Sequence, residues 1–149
     1  MSKEKQAVKV RPAQIGDATR IATLCTDLGY PAIPEQIKHR LKSILPEDDH
    51  AIFVAELPER QVIGWVHVCL RKLVVAEQQA EIEGLVVDKA LRCQGVGRLL
   101  MEEAERWGRN KKCTCVYLRS NVNRNEAHAF YESIGYNLIK TQRAYKKSL

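Results

Sequence analysis

The sequence lacks several features that would place it in a class at once. No apolar run in its 149 residues is long enough to span a bilayer, and no Gly-Lys-Ser/Thr element marks a P-loop. Residues 1–6 are charged and lack the apolar stretch of a signal peptide, so we expect a cytoplasmic protein. Without repeats or low-complexity linkers, the chain is predicted to form one domain over residues 1–149.

Cysteine is sparse and odd in number, with five residues scattered along the chain. Such a set argues against a disulfide framework. Cys113 and Cys115 would share one face of a strand, but no further Cys or His pair has metal-ligand spacing. We therefore expect free thiols and no metal.

The net charge of +6 would suit an anionic partner, either a nucleic acid or a polyphosphate cofactor, although a solvated basic face explains it equally well. A basic tail, with Lys140, Arg143, Lys146 and Lys147, is what a nucleic-acid partner would use. An RNP-like aromatic motif, a zinc finger and a clear helix-turn-helix are all missing, so neither a nucleic acid nor a membrane is expected as a partner. A homodimer is left open.

Hydrophobic periodicity divides the chain into strands and helices. Strands are predicted at residues 8–12, 51–56, 62–70, 80–87 and 115–118, with a final pair at 136–140 and 143–146, and helices at 15–28, 34–45, 96–111 and 125–134. Hairpins make antiparallel pairs, whereas a helix between two strands of one sheet makes a parallel crossover. The pattern predicts an α+β fold, with one mixed, mainly antiparallel twisted sheet of 6–7 strands flanked by about four helices.

The join between the strand at 80–87 and the helix at 96–111 has the features of an anion site. Gly95 and Gly97 let the backbone approach a ligand, and the first helical turn offers unpaired N–H groups at the positive end of the helix dipole. Arg92 and Arg98 flank the turn with positive charge. A tight turn without a ligand has the same pattern. A dinucleotide fingerprint is excluded, because Leu100 stands where its third glycine would be.

Two blocks then make the pattern specific. Arg92-x-x-Gly95-x-Gly97 follows the strand Ile82-Glu83-Gly84-Leu85-Val86-Val87-Asp88, and a helix further on carries Phe130-Tyr131 and ends at Gly135-Tyr136. In this order and spacing they resemble the GNAT superfamily of acetyl-CoA-dependent N-acetyltransferases. The matched region runs from about Glu81 to Tyr136.

The resemblance implies the GNAT fold and acetyl-CoA as the acetyl donor, with the CoA pyrophosphate at residues 92–97. The residues implied to bind CoA are Leu85, Val86, Val87, Arg92, Cys93, Gln94, Gly95, Val96, Gly97, Arg98, Arg124 and Asn125. One position departs from the family pattern: Arg124 stands where many members have an asparagine that contacts the pantetheine arm. Asn123, Arg124 and Asn125 all remain candidates for that contact.

Acetyl transfer to an amine needs a base, because an alkylammonium group has a pKa of about 10.4. Glu83 is the candidate, acting through a water, and Glu81 is the alternative on the same strand face. Burial would raise the pKa of such a carboxyl toward neutrality. Gly84, next to Glu83, indicates a β-bulge or a close approach of ligand to backbone. A solvent-facing strand position is the ordinary alternative for Glu83.

Tyr131 is the candidate acid. Its position on the stripe of Ala127, Phe130 and Ile134 is typical of a core aromatic. The resemblance matches Tyr131 to the family tyrosine that approaches the CoA sulfur, so we expect it to protonate the leaving thiolate.

The acceptor is not identified by the sequence beyond a primary amine of a small molecule or peptide. Its binding residues are expected at Tyr30 and Pro31, and at Tyr136 and Tyr145. Glu47-Asp48-Asp49 is the one acidic run, and such a run is more often a solvated loop. A non-catalytic acyl-CoA sensor is the alternative function, since it would need the anion site but neither Glu83 nor Tyr131.

Overall fold

The computed structural model describes residues 7–149, so the charged segment at 1–6 lies outside the described residues. The described residues form two compact units: the first ends at Leu118 and the second is Arg119–Leu149. One domain over residues 1–149 stays a prediction. Within residues 7–149, no helix combines the length and the apolar character that crossing a membrane requires.

The first unit is a five-stranded sheet with three α-helices. Its elements in chain order are β1 (Lys9–Pro12), α1 (Ala18–Asp27), α2 (Pro34–Ile44), β2 (His50–Glu56), β3 (Val62–Leu73), β4 (Ala76–Val87), α3 (Val96–Asn110) and β5 (Val116–Leu118). The strands lie side by side in the order β1-β2-β3-β4-β5. The first three pairings are antiparallel, and β4 pairs with β5 in parallel. The predicted mixed, mainly antiparallel α+β fold is confirmed.

Helices cover both faces of this sheet. α1 and α2 pack on the face that carries Ile52 and Val54, in a core with Ile21, Leu24 and Leu41. α3 covers the opposite face, where a Cβ built on Gly64 of β3 would meet the Leu100 side chain at 3.1 Å. Because neighbouring strand residues point to opposite faces, Trp65, His67 and Cys69 lie on the α1–α2 side.

The second unit contains α4 (Asn125–Ser133), which ends before Gly135 at φ +99°. Residues 136–149 form no regular element, so the predicted pair of strands at 136–140 and 143–146 is wrong. Leu138 and Ile139, the aliphatic residues of the first predicted strand, are 81% and 71% exposed. A segment forms a strand only where its backbone groups find a neighbouring strand to bond with. Residues 7–149 therefore contain five strands instead of six or seven, and the four α-helices are as predicted.

Candidate active site

A β-bulge interrupts the pairing of β3 with β4. His67 pairs with Gly84, but its neighbour Val68 pairs with Ile82, which leaves Glu83 as the extra residue of β4. A bulge bends its strand and leaves the extra residue out of the hydrogen-bonded ladder. The bulge expected around Gly84 is therefore present, and Glu83 is the residue that it displaces.

Gly84 lies directly under the indole ring of Trp65. A Cβ at this position would come within 2.7 Å of Cη2 of that ring. Gly84 is not among the glycines with positive φ, so close packing, and not a special backbone conformation, requires glycine here. Trp65 packs in turn against the core formed with α1 and α2. The bulge is thus fixed to the helical layer by one aromatic contact.

Three carboxylates and one thiol meet beside the bulge. The Cys69 thiol donates a hydrogen bond to Glu83 Oε1 at 3.2 Å. The pKa of Cys69 is raised to about 12, first by burial, then by this hydrogen bond and the charge of Glu83, with smaller contributions from the charges of Glu81 and Asp49. We call Asp49, Glu81 and Glu83 the acidic cluster.

The acidic cluster is a candidate site for a cation. Donor atoms of Cys69, Glu81 and Glu83 lie within 4.8 Å of one another, which is close enough for a shared cation. Without a bound metal ion, the Cys69 thiol, whose pKa is raised to about 12, is protonated at neutral pH. Carboxylates around a protonated thiol can accept hydrogen bonds from a cationic amine.

The two glutamates have different surroundings. Glu81 is buried, with 8% of its surface exposed, and its Oε2 lies 3.8 Å from Nε of Arg71. Arg71 also stacks over the Tyr117 ring at 4.1 Å, so this ion pair is part of the packing between β3, β4 and β5. Glu83 is exposed, so the burial that was expected for this carboxyl is absent. Glu83 is the glutamate that an acceptor can reach.

The end of β4 has an open edge on its β5 side, meaning that no strand within residues 7–149 pairs with it there. The parallel pairing stops at Ile82 and Leu118, while β4 continues to Val87. Leu85, Val86 and Val87 pair with β3 on their other side, opposite Val66, Trp65 and Gly64. Over residues 83–87 the β4 backbone can therefore bond to an extended, amide-bearing ligand as it would to a strand. This is the arrangement expected for the pantetheine arm of CoA.

A salt bridge from α1 fixes the chain as it leaves β4. Arg20 bonds to Asp88 Oδ2 at 2.9 Å and to the Val62 carbonyl at 2.7 Å. The other oxygen of Asp88 accepts a hydrogen bond from the Ala90 N–H and caps the short 3₁₀ turn Lys89–Leu91. These contacts fix the position of Asp88 and of the turn after it, and therefore the position from which the segment 92–95 begins.

The segment from Arg92 to Gly95 presents the start of α3 to solvent. All four residues, Arg92, Cys93, Gln94 and Gly95, are exposed. Gly95 is the N-cap with φ +84°, in the left-handed region that favours glycine, and no side chain caps the helix. The N–H groups of Val96, Gly97 and Arg98 in the first turn thus have no intrahelical acceptor. A helix start with these features is suited to binding an anion, and the CoA pyrophosphate at residues 92–97 stays a prediction.

Three of the residues predicted to bind CoA have additional features. Arg98 lies 3.5 Å from Glu102 one helical turn on, in an exposed pair that contributes little stability and can be exchanged for a phosphate. Val96 is buried and fastens the start of α3 to the core, so only its backbone is available to a ligand. Cys93 has φ +63°, an uncommon conformation for a residue other than glycine.

The second unit holds the other predicted site residues. Tyr131 lies on α4 with its ring 5.2 Å from Phe130 and 6.1 Å from Tyr136. Burial raises the pKa of the Tyr131 hydroxyl, and the charge of Arg124 lowers it by a smaller amount. Arg124 immediately precedes α4, and Asn125 is its first residue. Asn123, Arg124 and Asn125 are all exposed, so each remains a candidate for the CoA contact.

His128 anchors the loop before α4. Its Nε2 is 2.8 Å from the Asn121 carbonyl oxygen, and the backbone N–H of Arg124 bonds the same carbonyl at 3.1 Å. His128 therefore shapes the loop that carries Asn123 and Arg124 and does not itself act as a site ligand.

Sequence patterns missed part of this site. Asp49, Cys69 and the neighbouring His50 and His67 lie on β2, β3 and the turn before them, and only strand pairing brings them to Glu83. The available signal was the series His67, Cys69 and Arg71, in which every second residue is polar or titratable within a strand that is otherwise apolar. The acidic run at residues 47–49 indicates only a solvated loop, and nothing in it points to a role for Asp49.

The family model described as the acetyltransferase (GNAT) family matches residues 18–136. The chain belongs to the acetyltransferase (GNAT) family. The match covers both blocks on which the resemblance was based, and it confirms an acetyl-CoA-dependent N-acetyltransferase over the sensor alternative.

Individual GNAT relatives agree with this assignment. A type 1 aminoglycoside N(6')-acetyltransferase of Stenotrophomonas maltophilia is 27% identical over 134 residues, which is 87% of this chain and 86% of that protein. The fold is shared with an aminoglycoside 6'-N-acetyltransferase from Acinetobacter baumannii (TM-score 0.84, 18% identity, 96% of this chain and 99% of that one). It is also shared with glucosamine-6-phosphate N-acetyltransferase from Arabidopsis thaliana (TM-score 0.80, 24% identity, 96% and 100%).

The residues of this GNAT enzyme fit acetyl-CoA. The glycine cap of α3 leaves its first-turn amides available for the pyrophosphate, and the open edge of β4 offers amides and carbonyls to the pantetheine. Acetyl-CoA supplies the activated acetyl thioester. The protein contributes the anion site, the strand edge and the polar groups at the bulge.

Proposed function

We propose that the protein acetylates an amino group of a polycationic amino sugar of the aminoglycoside class by direct attack on the thioester. The acidic cluster is the observation that carries this proposal, because Asp49, Glu81 and Glu83 all act on one thiol at the bulge. Each carboxylate of the cluster attracts the ammonium groups of such an acceptor. The cluster is needed for this attraction because the chain as a whole, with a net charge of +6, would repel a polycation.

The relatives support the amino-sugar part of the proposal. The similar protein of Stenotrophomonas maltophilia is named for aminoglycosides, and one structure with the same fold is named for glucosamine 6-phosphate. The acidic cluster distinguishes between these two acceptors. Carboxylates favour a cationic aminoglycoside and disfavour a sugar that carries a phosphate dianion.

Glu83 is the proposed base. It is exposed at the bulge and linked to the Cys69 thiol, whereas Glu81 is buried against Arg71. Through one water, Glu83 would take a proton from the acceptor ammonium and leave a neutral amine able to attack. The amide of Glu83, the residue that the bulge displaces from the regular ladder, would stabilise the oxyanion.

Tyr131 is the proposed acid. It corresponds to the tyrosine of the family pattern, and burial raises the pKa of its hydroxyl. A tyrosine whose pKa is raised keeps its proton at neutral pH and can donate it to the departing sulfur. When the tetrahedral intermediate collapses, the attacking nitrogen loses a proton, and this proton replaces the one that Tyr131 gives to the sulfur. One proton per turnover, taken up through Glu83, leaves with solvent.

Turnover against an acceptor panel tests the proposal. Thiol release from acetyl-CoA would be measured with aminoglycosides, linear polyamines, glucosamine 6-phosphate and peptides bearing free amines. We expect kcat/KM to be highest for aminoglycosides and to fall with added salt, because the attraction is electrostatic. Preferential acetylation of the peptides or of glucosamine 6-phosphate would overturn the acceptor class.

Glu83→Gln tests the base within the same assay. The amide keeps the size of the side chain but cannot accept the proton, so we expect kcat to fall by a factor of about 10² or more at neutral pH. Glu59→Gln, in the exposed turn between β2 and β3, is the matched control and should behave as the wild type. Unchanged turnover in Glu83→Gln would remove Glu83 from the role.

A further inference from the structure

Two histidines form a hydrogen-bonded pair beside the acidic cluster. Nδ1 of His50, the first residue of β2, lies 2.9 Å from Nε2 of His67 on β3. The two ring centroids are 5.2 Å apart with an interplanar angle of 34°. Two imidazole nitrogens at this distance share a single hydrogen, since two N–H groups facing each other would repel. The pair therefore accommodates one added proton easily and a second only by breaking the contact.

The His50–His67 pair sits between solvent and the proposed base. His67 pairs across the strands with Gly84, next to the bulged Glu83, and the Glu83 charge acts on its imidazole. At the other end, Nε2 of His50 lies 4.0 Å from Oδ1 of Asp49. Cys69, opposite His50 in the ladder, completes the surroundings, with Glu81 and Arg71 beyond it.

The resting charge of the pair is set by these neighbours. Burial lowers the pKa of His67, the proximity of His50 lowers it further, and the charge of Glu83 raises it by a smaller amount. His67 is consequently neutral at neutral pH and able to accept a proton. A neutral His67 adds no positive charge beside the acidic cluster, which keeps the cluster attractive to a cationic acceptor.

We propose that the His50–His67 pair receives the proton that Glu83 takes from the acceptor ammonium and passes it to solvent at His50. This inference rests on the proposed role of Glu83. A bound polycation would cover the exposed Glu83, so that its route to bulk water is restricted during the chemical step. The neutral His67 can accept this proton, and the negative charge that Glu83 regains on giving it up stabilises the protonated imidazole.

The proton balance of the step is simple. The acceptor N–H bond breaks, and its proton moves through the water on Glu83 to His67. The N–H shared between the rings shifts so that His50 carries the positive charge beside Asp49, and His50 then releases one proton to solvent. No oxidant, reductant or further group is consumed.

Substitution with chemical rescue tests the transfer. His67→Gln keeps a hydrogen-bonding group opposite His50 but cannot carry the proton, and His50→Gln interrupts the outer half of the pair. We expect kcat to fall about tenfold or more in each, with KM for acetyl-CoA unchanged, and added imidazole to restore it. His39→Gln, at an exposed position of α2, is the matched control. Unchanged kcat, or a loss that imidazole does not restore, would overturn the proposal.

An NMR titration of the histidine side chains separates this inference from the proposed function, because it needs no acceptor. We expect the wild-type pair to take up its two protons in well-separated macroscopic steps, and the first step to shift to lower pH in Glu83→Gln. Two independent titrations, insensitive to Glu83→Gln, would overturn the pair. Loss of activity in Glu83→Gln with normal activity in both histidine variants would instead leave the base in place and refute the transfer.

Discussion

The thiol of Cys69 and the carboxylate of Glu83 are joined by a hydrogen bond of 3.2 Å at a β-bulge, with the thiol as donor. This contact links β3, a strand in which the sequence indicated no functional residue, to the residue proposed as the base. The reactivity of Cys69 can also be used to probe the site, because the protonation of its thiol depends on the negative charge around it.

Cysteine alkylation should reveal that charge. The pKa of Cys69 is raised to about 12 by burial, by Glu83 and by the other carboxylates, so almost no thiolate exists at mildly alkaline pH. We expect iodoacetamide to modify the exposed Cys93 and Cys115 well before Cys69, as followed by peptide mass spectrometry. In Glu83→Gln, Cys69 should react faster while Cys93 is unchanged. Equal rates for Cys69 in both proteins would contradict the arrangement.

Gly84→Ala should disturb the bulge. The added Cβ would come within 2.7 Å of the Trp65 ring, and a displaced ring in a packed core costs about 1–3 kcal/mol. We expect a lower Tm, altered tryptophan fluorescence and reduced acetyl transfer. Gly16→Ala is the control, because nothing lies within 4 Å of a Cβ at that position. Equal Tm values for the two variants would show that Trp65 moves aside freely.

Much of the fold follows from sequence patterns, and the exceptions have physical causes. The apolar stripe of α3 and the proline at the start of α2 predicted those helices within a residue or so at each end. The predicted strand pair at 136–140 and 143–146 is wrong because the residues of a short segment do not specify whether a neighbouring strand is available to it. Local pattern therefore predicted the hairpin pairings of β2, β3 and β4 and the parallel crossover to β5, but not the structure of the segment after α4.

The candidate site, like the fold, has features that the sequence predicts and features that it does not. The glycine cap and the helix start were predictable from the sequence because they lie within one short segment around Gly95. The acidic cluster and the His50–His67 pair were not visible, because they depend on the register of β2, β3 and β4. One extra residue in β4 brings Glu83 beside Cys69. Gly84 indicated a bulge at this point of the sequence, but not which residues of β3 would lie beside Glu83.

The anion site should fail when its first helical turn is filled. In Gly97→Val, a branched side chain would stand among the first-turn amides while the rest of α3 keeps its buried face. We expect the rise in Tm on adding acetyl-CoA to disappear, with the free protein losing only about 1 kcal/mol of stability or less. Gly16→Val, remote in sequence from this turn, should retain the ligand-induced shift. Normal acetyl-CoA affinity in Gly97→Val would place the pyrophosphate elsewhere.

Removing the hydroxyl of Tyr131 should slow the reaction without loosening CoA. The pKa of Tyr131 is raised above its usual value of about 10 by burial, so the protonated acid persists through the neutral and mildly alkaline range. Wild-type kcat should therefore show no alkaline fall from this group below about pH 10. Tyr131→Phe should lower kcat by about 10² or more and leave the CoA dissociation constant unchanged. Tyr117→Phe also loses a hydroxyl but keeps the ring under Arg71, and it should react at the wild-type rate. A wild-type kcat in Tyr131→Phe would require another donor, or none, for the leaving thiolate.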